Sequence, residues 1–253
     1  MPTAKKESVT ISVSKLTQKS CTLRLIGTTP LYQNRMSAKA KQEFLIGGGK
    51  GKSKAERAHI KHDPLQEFVD AAEIIPDGPT ALGMKVIAVK AAMATAALET
   101  EGVYKTEIQR LLFMPGDLVP LYGTPHLKMD IVRQGGMNKT PDIRTRPYLP
   151  KWGTEIEMRY ITPQLNLTSL FNILCNAGVL IGLGDYRQEK GKGNFGSFRV
   201  ISADEQDDAW DDLVAHHGRD AQQRALDNPM CADADTEDLM QFFNDEVIRR
   251  EAA

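Results

Sequence analysis

LTSLFNILCNAGVLIGLGDYRQEKGKGNFGSFRV, residues 167–200, decides how this chain is read. Leu167, Leu170, Phe171 and Leu174 recur at helical spacing and run into Ala177-Gly178. Gly182, Gly184, Gly191, Gly193 and Gly196 follow, with Arg187, Lys190 and Lys192 among them. Residues 197–201 then alternate as a strand, with Phe198 and Val200 on one face. So many permissive residues beside cations describe a backbone that lets an anion approach closely. The loop is therefore the expected binding site, and the rest of the chain its platform.

Working outward, residues 21–26 alternate, Leu23 and Leu25 against Thr22 and Arg24; Gly27-Thr-Thr-Pro30 closes them and Leu31-Tyr32 extends the strand. Residues 154–160 alternate as well, and 108–113, 118–122 and 127–132 read as further strands. Residues 73–76 end a short strand. Residues 79–99 read as one helix, whose body carries Val86, Val89, Met93, Ala96 and Ala97 at helical spacing until Gly102 stops it. The order β, long insertion, β, α, several β, α, β predicts an α+β fold with an RRM/ferredoxin-like core, an antiparallel sheet with two helices.

The near-neutral total conceals a division of charge. Residues 203–253 hold 15 acidic groups against four arginines, a net of −11, so the preceding 202 residues carry 28 basic and 18 acidic groups, a net of +10. A cationic body with an anionic tail points to a polyanionic ligand and to a tail that competes for the same groove or docks on a protein partner. Three parts are expected: a flexible basic arm at 1–20, an RRM-like nucleic-acid-binding domain at 21–202, and an acidic tail of one or two tethered helices at 203–253. The domain carries a long basic insertion at 37–72, with Lys50, Lys52, Lys54 and Arg57 around a triple glycine; this is either a finger that closes on a nucleic-acid backbone or a solvated loop.

Other cations complete the candidate interface. Lys85 and Lys90 lie near the start of the helical body, either facing a phosphate or as ordinary surface lysines. In the alternating stretch at 143–146, Arg144 and Arg146 share a face, with Tyr148 and Trp152 close behind. Aromatic and arginine side chains on a sheet face suit stacked bases and tracked phosphates, though Tyr148 and Trp152 suit core packing equally.

Several chemistries are excluded on pattern. Gly-Lys-Ser at 51–53 lacks the P-loop's first glycine, its place held by Ile46, and the GxGxxG at 191–196 precedes a strand where a dinucleotide site needs a helix. The five histidines form no HxxxH or HExxH, the three cysteines are isolated, and GxSxG is absent. No metal, no cofactor and no catalysis are expected. No apolar run approaches the roughly 20 residues of a membrane span, so the expected location is the cytoplasm of a bacterial cell or phage-infected host.

PTALGMK at 79–85 through Lys90, together with GLG at 182–184 leading to GSF at 196–198, resembles the RAMP superfamily, the RRM-like subunits that coat guide RNA in CRISPR effector complexes. PDIRTRPYLPKW at 141–152 with the glycine loop also resembles uncharacterised proteins of tailed bacteriophages. The likeness covers about residues 21–202. It implies self-association head-to-tail along a single strand of RNA or DNA, as a guide-coating subunit or a phage protein of replication or recombination. No aspartate matches that of target-cleaving subunits, so binding without cleavage is expected. The alternative is a phage assembly or interaction protein that binds no nucleic acid.

Overall fold

The computed structural model describes residues 13–36, 45, 62–133, 140–190 and 193–251. Strand β1 (Thr17–Gly27) is the spine. Its side chains alternate, so Leu23 and Leu25 point to one face while Thr22, Arg24 and Ile26 take the other. After it come β2 (Leu31–Tyr32), α1 (Pro64–Asp70), β3 (Gly83–Lys85), α2 (Val86–Ala96), α3 (Lys105–Leu111), β4 (Leu112–Phe113), β5 (Leu118–Tyr122), β6 (His126–Arg133), β7 (Pro141–Leu149) and β8 (Gly153–Thr162). The chain continues through α4 (Leu167–Leu180), β9 (Phe198–Ser202), α5 (Asp208–His216), α6 (Arg219–Asp227) and α7 (Ala234–Glu251).

The protein is α+β with antiparallel sheets. The larger sheet has the order β3-β5-β8-β1-β9, with β4 also on β8, and the smaller has β2-β7-β6. β1 pairs antiparallel with β8 from Thr17↔Thr162 to Ile26↔Gly153, and with β9 at Leu23↔Ser202 to Gly27↔Phe198. α2 and α4 pack together on the inner face of this sheet, where Val89, Met93, Leu170, Leu174 and Ala177 meet Leu25, Ile156, Met158 and Phe198 in the main core. A smaller core joins Phe68 of α1 to Leu127 and Met129 of β6.

Four local expectations change. The helix expected over 79–99 begins only at Val86, because the backbone before it is committed elsewhere: Gln222 Oε1 accepts from Ala81 and Leu82 amides, and Gly83 donates to the Glu73 carbonyl. Residues 108–113 are mostly helical, α3 starting where the Glu107 carboxylate accepts from the Tyr104 amide at 3.2 Å and only Leu112–Phe113 pairing with β8. The last part of the 37–72 insertion is a packed helix, capped by Asp63 on the Gln66 amide and anchored by fully buried Phe68. Residues 17–20 of the expected loose arm belong to β1.

The acidic tail is docked, contrary to the expected tether. Trp210 and Leu213 of α5 cover Ile26 and Ile201 on the outer face of the large sheet. Gln222 of α6 is fully buried, with Nε2 donating to the carbonyls of Leu121 and Gly123 at 2.7 and 2.9 Å. Arg219 donates to the carbonyls of Ile75, Gly78 and Thr80, and Leu239 and Met240 of α7 pack on the smaller core. The sign of the tail's charge is matched locally: Asp207 pairs with Arg199, Asp212 with Lys151, and Asp233 with Lys128.

Candidate nucleic-acid interface

The glycine loop between α4 and β9 folds back over β2. Asp185 donates its amide to the Tyr32 carbonyl at 3.0 Å, Gly196 to Pro30 at 2.8 Å, and Leu183 to Gly196 at 2.9 Å. This closeness explains the glycines. A Cβ at Gly184, which sits at φ +78°, would overlap the Tyr32 carbonyl, and one at Gly193 would overlap the carbonyl of Tyr186. The Leu31 side chain also crowds Gly184, and the Tyr186 backbone crowds Gly193. Gly184 and Gly193 therefore shape the loop, because no side chain fits at either position.

The expected role of Arg146 is corrected. It is 1% exposed, with Nη2 donating to Asp130 at 2.7 Å and Nη1 to Asp185 at 2.9 Å. Its guanidinium lies 4.7 Å from the Tyr32 ring centroid and 4.3 Å from that of Tyr186. Tyr32 also receives the edges of Tyr148 and Phe195, at centroid separations of 5.2 and 4.9 Å. A guanidinium with two carboxylates and two ring faces around it has no room for a phosphate. Arg144, two residues earlier on β7, is exposed. Trp152, at 1% exposure, is core: its Nε1 donates to the Thr29 carbonyl at 2.8 Å, so it offers no face to a base.

The remaining cations converge. Lys85 caps the start of α2, beside Glu73 at 2.5 Å, and Lys90 follows one turn later. Both line a depression of about 510 Å³ with Ile87, Phe113 and Leu118; Phe113 is 53% exposed. Lys85 also lines an adjoining depression of about 300 Å³ with Arg187, Gly184 and Tyr32. Arg187 donates to Glu189 at 2.8 Å and to the Gly184 carbonyl at 3.1 Å, and exposed Lys190 lies 3.6 Å from the same glutamate. Asn34 links this second depression to a third cavity, which Arg144 and Arg35 line. Among the described residues, none from the acidic tail lines any of the three. Lys50, Lys52, Lys54, Arg57 and Lys192 lie outside the described residues.

No periodicity marks the aromatic cluster of Tyr32, Tyr186 and Phe195, although DYR at 185–187 and NF at 194–195 place two of its rings inside the glycine loop. Among the described residues, Tyr186 is the non-glycine residue with positive φ, at 51°, a conformation uncommon for a bulky side chain. Burial alone would raise the Asp185 carboxyl pKa, but the Tyr186 amide, the Arg146 charge and the Asn34 amide together outweigh it and hold it below the ordinary value. Burial first, and then the Asp130 charge, push the Tyr32 phenol upward, so it stays protonated. Asp130 and Asp142 serve different partners, Arg146 and His62. Among the described residues no group of three or more His, Cys, Asp or Glu side chains is arranged to hold a metal ion, and no helix is long and apolar enough to cross a membrane.

No protein-family model matches the sequence, and no curated protein matches it. Among solved structures, a chain of the cryo-EM structure of the Type III-B Cmr-beta bound to cognate target RNA is similar, at 12% identity and a TM-score of 0.34. The match covers 73% of this chain and 62% of that one, so this chain spans less than two thirds of its neighbour's length.

Proposed function

We propose that this chain is a non-catalytic subunit that binds single-stranded nucleic acid and associates head-to-tail along it. The observation that carries the reading is that Lys85 and Arg187, 102 residues apart in sequence, line one depression, with Lys90 and exposed Phe113 continuing it on one side. Cations in a row track phosphates, and an exposed ring beside them offers a stacking face to any base. Glu73 and Glu189 hold Lys85 and Arg187 in the meantime; such partly exposed pairs are worth only about 0–1 kcal/mol each, so a polyanion can exchange them. We read the succession β1, α2, β5, β8, α4, β9 as an RRM-like core, and the chain as a RAMP-like coat subunit of a guide RNA or a phage protein that covers single-stranded DNA.

The test is fluorescence anisotropy with labelled RNA and DNA of one sequence, at low and moderate salt. Tight binding that weakens steeply with salt supports the reading, and the preferred strand chooses between guide and phage roles. A second reading, an assembly protein that binds no nucleic acid, is favoured by the way the tail engages Arg199, Lys151 and Lys128 and leaves fewer cations open. Absence of binding to either strand at low salt selects it.

A further inference from the structure

β1 outruns the strand beside it. β9 pairs with it only from Gly27↔Phe198 to Leu23↔Ser202, and among the described residues no strand continues along residues 17–22 on that side. Backbone groups in an antiparallel strand point alternately to its two neighbours. The Gly27 amide donates to the Trp152 carbonyl, towards β8, and the Thr28 amide to the Ser197 carbonyl, towards β9, so the even-numbered residues face the β9 side. Gln18 and Ser20, both exposed, therefore hold their amides and carbonyls out along an open edge, a template to which another strand adds. An apolar stripe runs towards the same end. Gly178 of α4 backs onto the Phe198 carbonyl of β9, and Cys175, Phe171 and Leu167 continue that helix face at spacings of three and four. α4 starts soon after β8 ends at Thr162, opposite Thr17, so Leu167 and Phe171 lie towards the open end; Leu167 is 47% exposed.

We infer that this edge takes residues 9–13 of a second copy of this chain as an added strand. The inference rests on the self-association in the reading above and names its interface. Residues 9–12 lie outside the described residues; with Val13 they read VTISV, alternating and mostly β-branched. Added to the edge, the segment can turn Val9, Ile11 and Val13 to the Leu167 stripe and Thr10 and Ser12 to solvent. Residues 13–16 leave β1 without a turn or bend, so the chain runs on past Thr17 instead of doubling back along its own edge. Val13 and Leu16 are meanwhile 85% and 54% exposed, apolar side chains for a neighbour to cover. Lys19 stands in the middle of the edge, and two β1 edges paired with each other would bring two such lysines together. Residues 9–13 carry no charge, which favours the arm over a second β1. Arm and edge are different surfaces, so each copy can give one strand and accept another, and the contact propagates head-to-tail.

The experiment follows the full chain by sedimentation velocity over a concentration series, alone and on oligo-U, for wild type, S20P and I11D. Wild type self-associates. S20P removes an amide that points outward and blocks the edge while sparing the β1–β8 ladder. I11D spoils the arm and leaves the edge intact. Each variant alone weakens association about tenfold or more, the worth of one or two backbone hydrogen bonds, with unchanged far-ultraviolet circular dichroism. Mixing the two restores pairing and stops at one-to-one dimers, because the S20P arm enters the I11D edge and the other arm and edge are blocked. Wild type that stays monomeric, oligomers indifferent to both variants, or a mixture that fails to pair overturns the inference. If S20P does not fold, adding I11D to wild type decides: a copy that accepts a strand and gives none shortens the oligomers, and an unchanged size distribution overturns the inference. Loss of oligo-U binding with self-association intact removes the nucleic-acid reading and leaves this interface standing.

Discussion

The Arg146 guanidinium lies 4.3 Å from the centroid of the Tyr186 ring, and this stack ties the smaller sheet to the glycine loop. Tyr186 holds a left-handed backbone conformation that costs a non-glycine residue of order 1–3 kcal/mol, and it persists because the stack and the Asp185 pair on either side determine it. Sequence position alone would make Arg146 a surface ligand; its surroundings make it an internal clamp.

Replacing Arg146 by methionine therefore leaves Asp130 and Asp185 without the buried cation they share. The expected loss of stability is about 3–5 kcal/mol, read from urea unfolding monitored by circular dichroism. R146K retains the charge and loses the two-sided stack and the fork, so it recovers only part of the loss. A variant with wild-type stability would remove the clamp.

The surface cations should behave in the opposite way. K85E and R187E leave the melting temperature within about 2 °C of wild type, since surface substitutions are usually worth under about 0.5 kcal/mol. Each weakens oligonucleotide binding and flattens its salt dependence, because fewer counterions are released. K151E, at a cation engaged by the tail away from the depression, leaves affinity nearly unchanged. Anisotropy titrations across a salt series measure all three.

Gln222 bonds the backbone of two distant segments, through Ala81 and Leu82 on one side and Leu121 and Gly123 on the other. Q222L fills the space and leaves those buried groups unpaired, each at about 1–3 kcal/mol. The tail should then detach, seen as faster proteolysis within residues 203–253 and as an increase in Trp210 accessibility. Equal proteolytic resistance would mean that the apolar contacts of Trp210 and Leu213 suffice.

Acid should loosen the same junction. Burial first lowers the pKa of His126 and of His217, whose Nδ1 lies 2.8 Å from the Thr124 hydroxyl. The unfolded chain therefore binds more protons than the folded one once the pH drops to the ordinary histidine value of about 6.5. Their contribution is complete above that pH and is lost as the pH falls toward the lower folded values. Asp185, also lowered in the folded state, adds a second loss when the pH falls through and below the ordinary carboxylate range. A melting-temperature series from pH 8 to pH 3 should show two declines, with the first shallower in H126N.

Gly193→Ala tests the account of the loop. The Tyr186 carbonyl occupies the place of the new methyl, so the loop must shift, disturbing Phe195 and the aromatic cluster. Near-ultraviolet circular dichroism should change although far-ultraviolet spectra do not.

The alternation of residues 21–26 and 154–160 was enough to predict β1 and β8, and the Leu167 stripe enough to predict α4, because local periodicity encodes which side chains share a face. The division of charge and the α+β class were legible for the same kind of reason, being properties of composition and order. Residues 108–113 were not legible: Ile108 and Leu112 are buried at a spacing of four that suits a helix, yet the stretch also reads as a strand, and the Glu107 cap decides between them. The placement of Lys85 beside Arg187 and the fates of Arg144 and Arg146 came only from the tertiary structure. Arg144 and Arg146 share a strand and a face, but only Arg146 meets Asp130, Asp185 and two tyrosines. Local sequence sets the direction in which a side chain points; what it meets there is supplied by segments far along the chain, and that decides whether a cation is a clamp or a ligand.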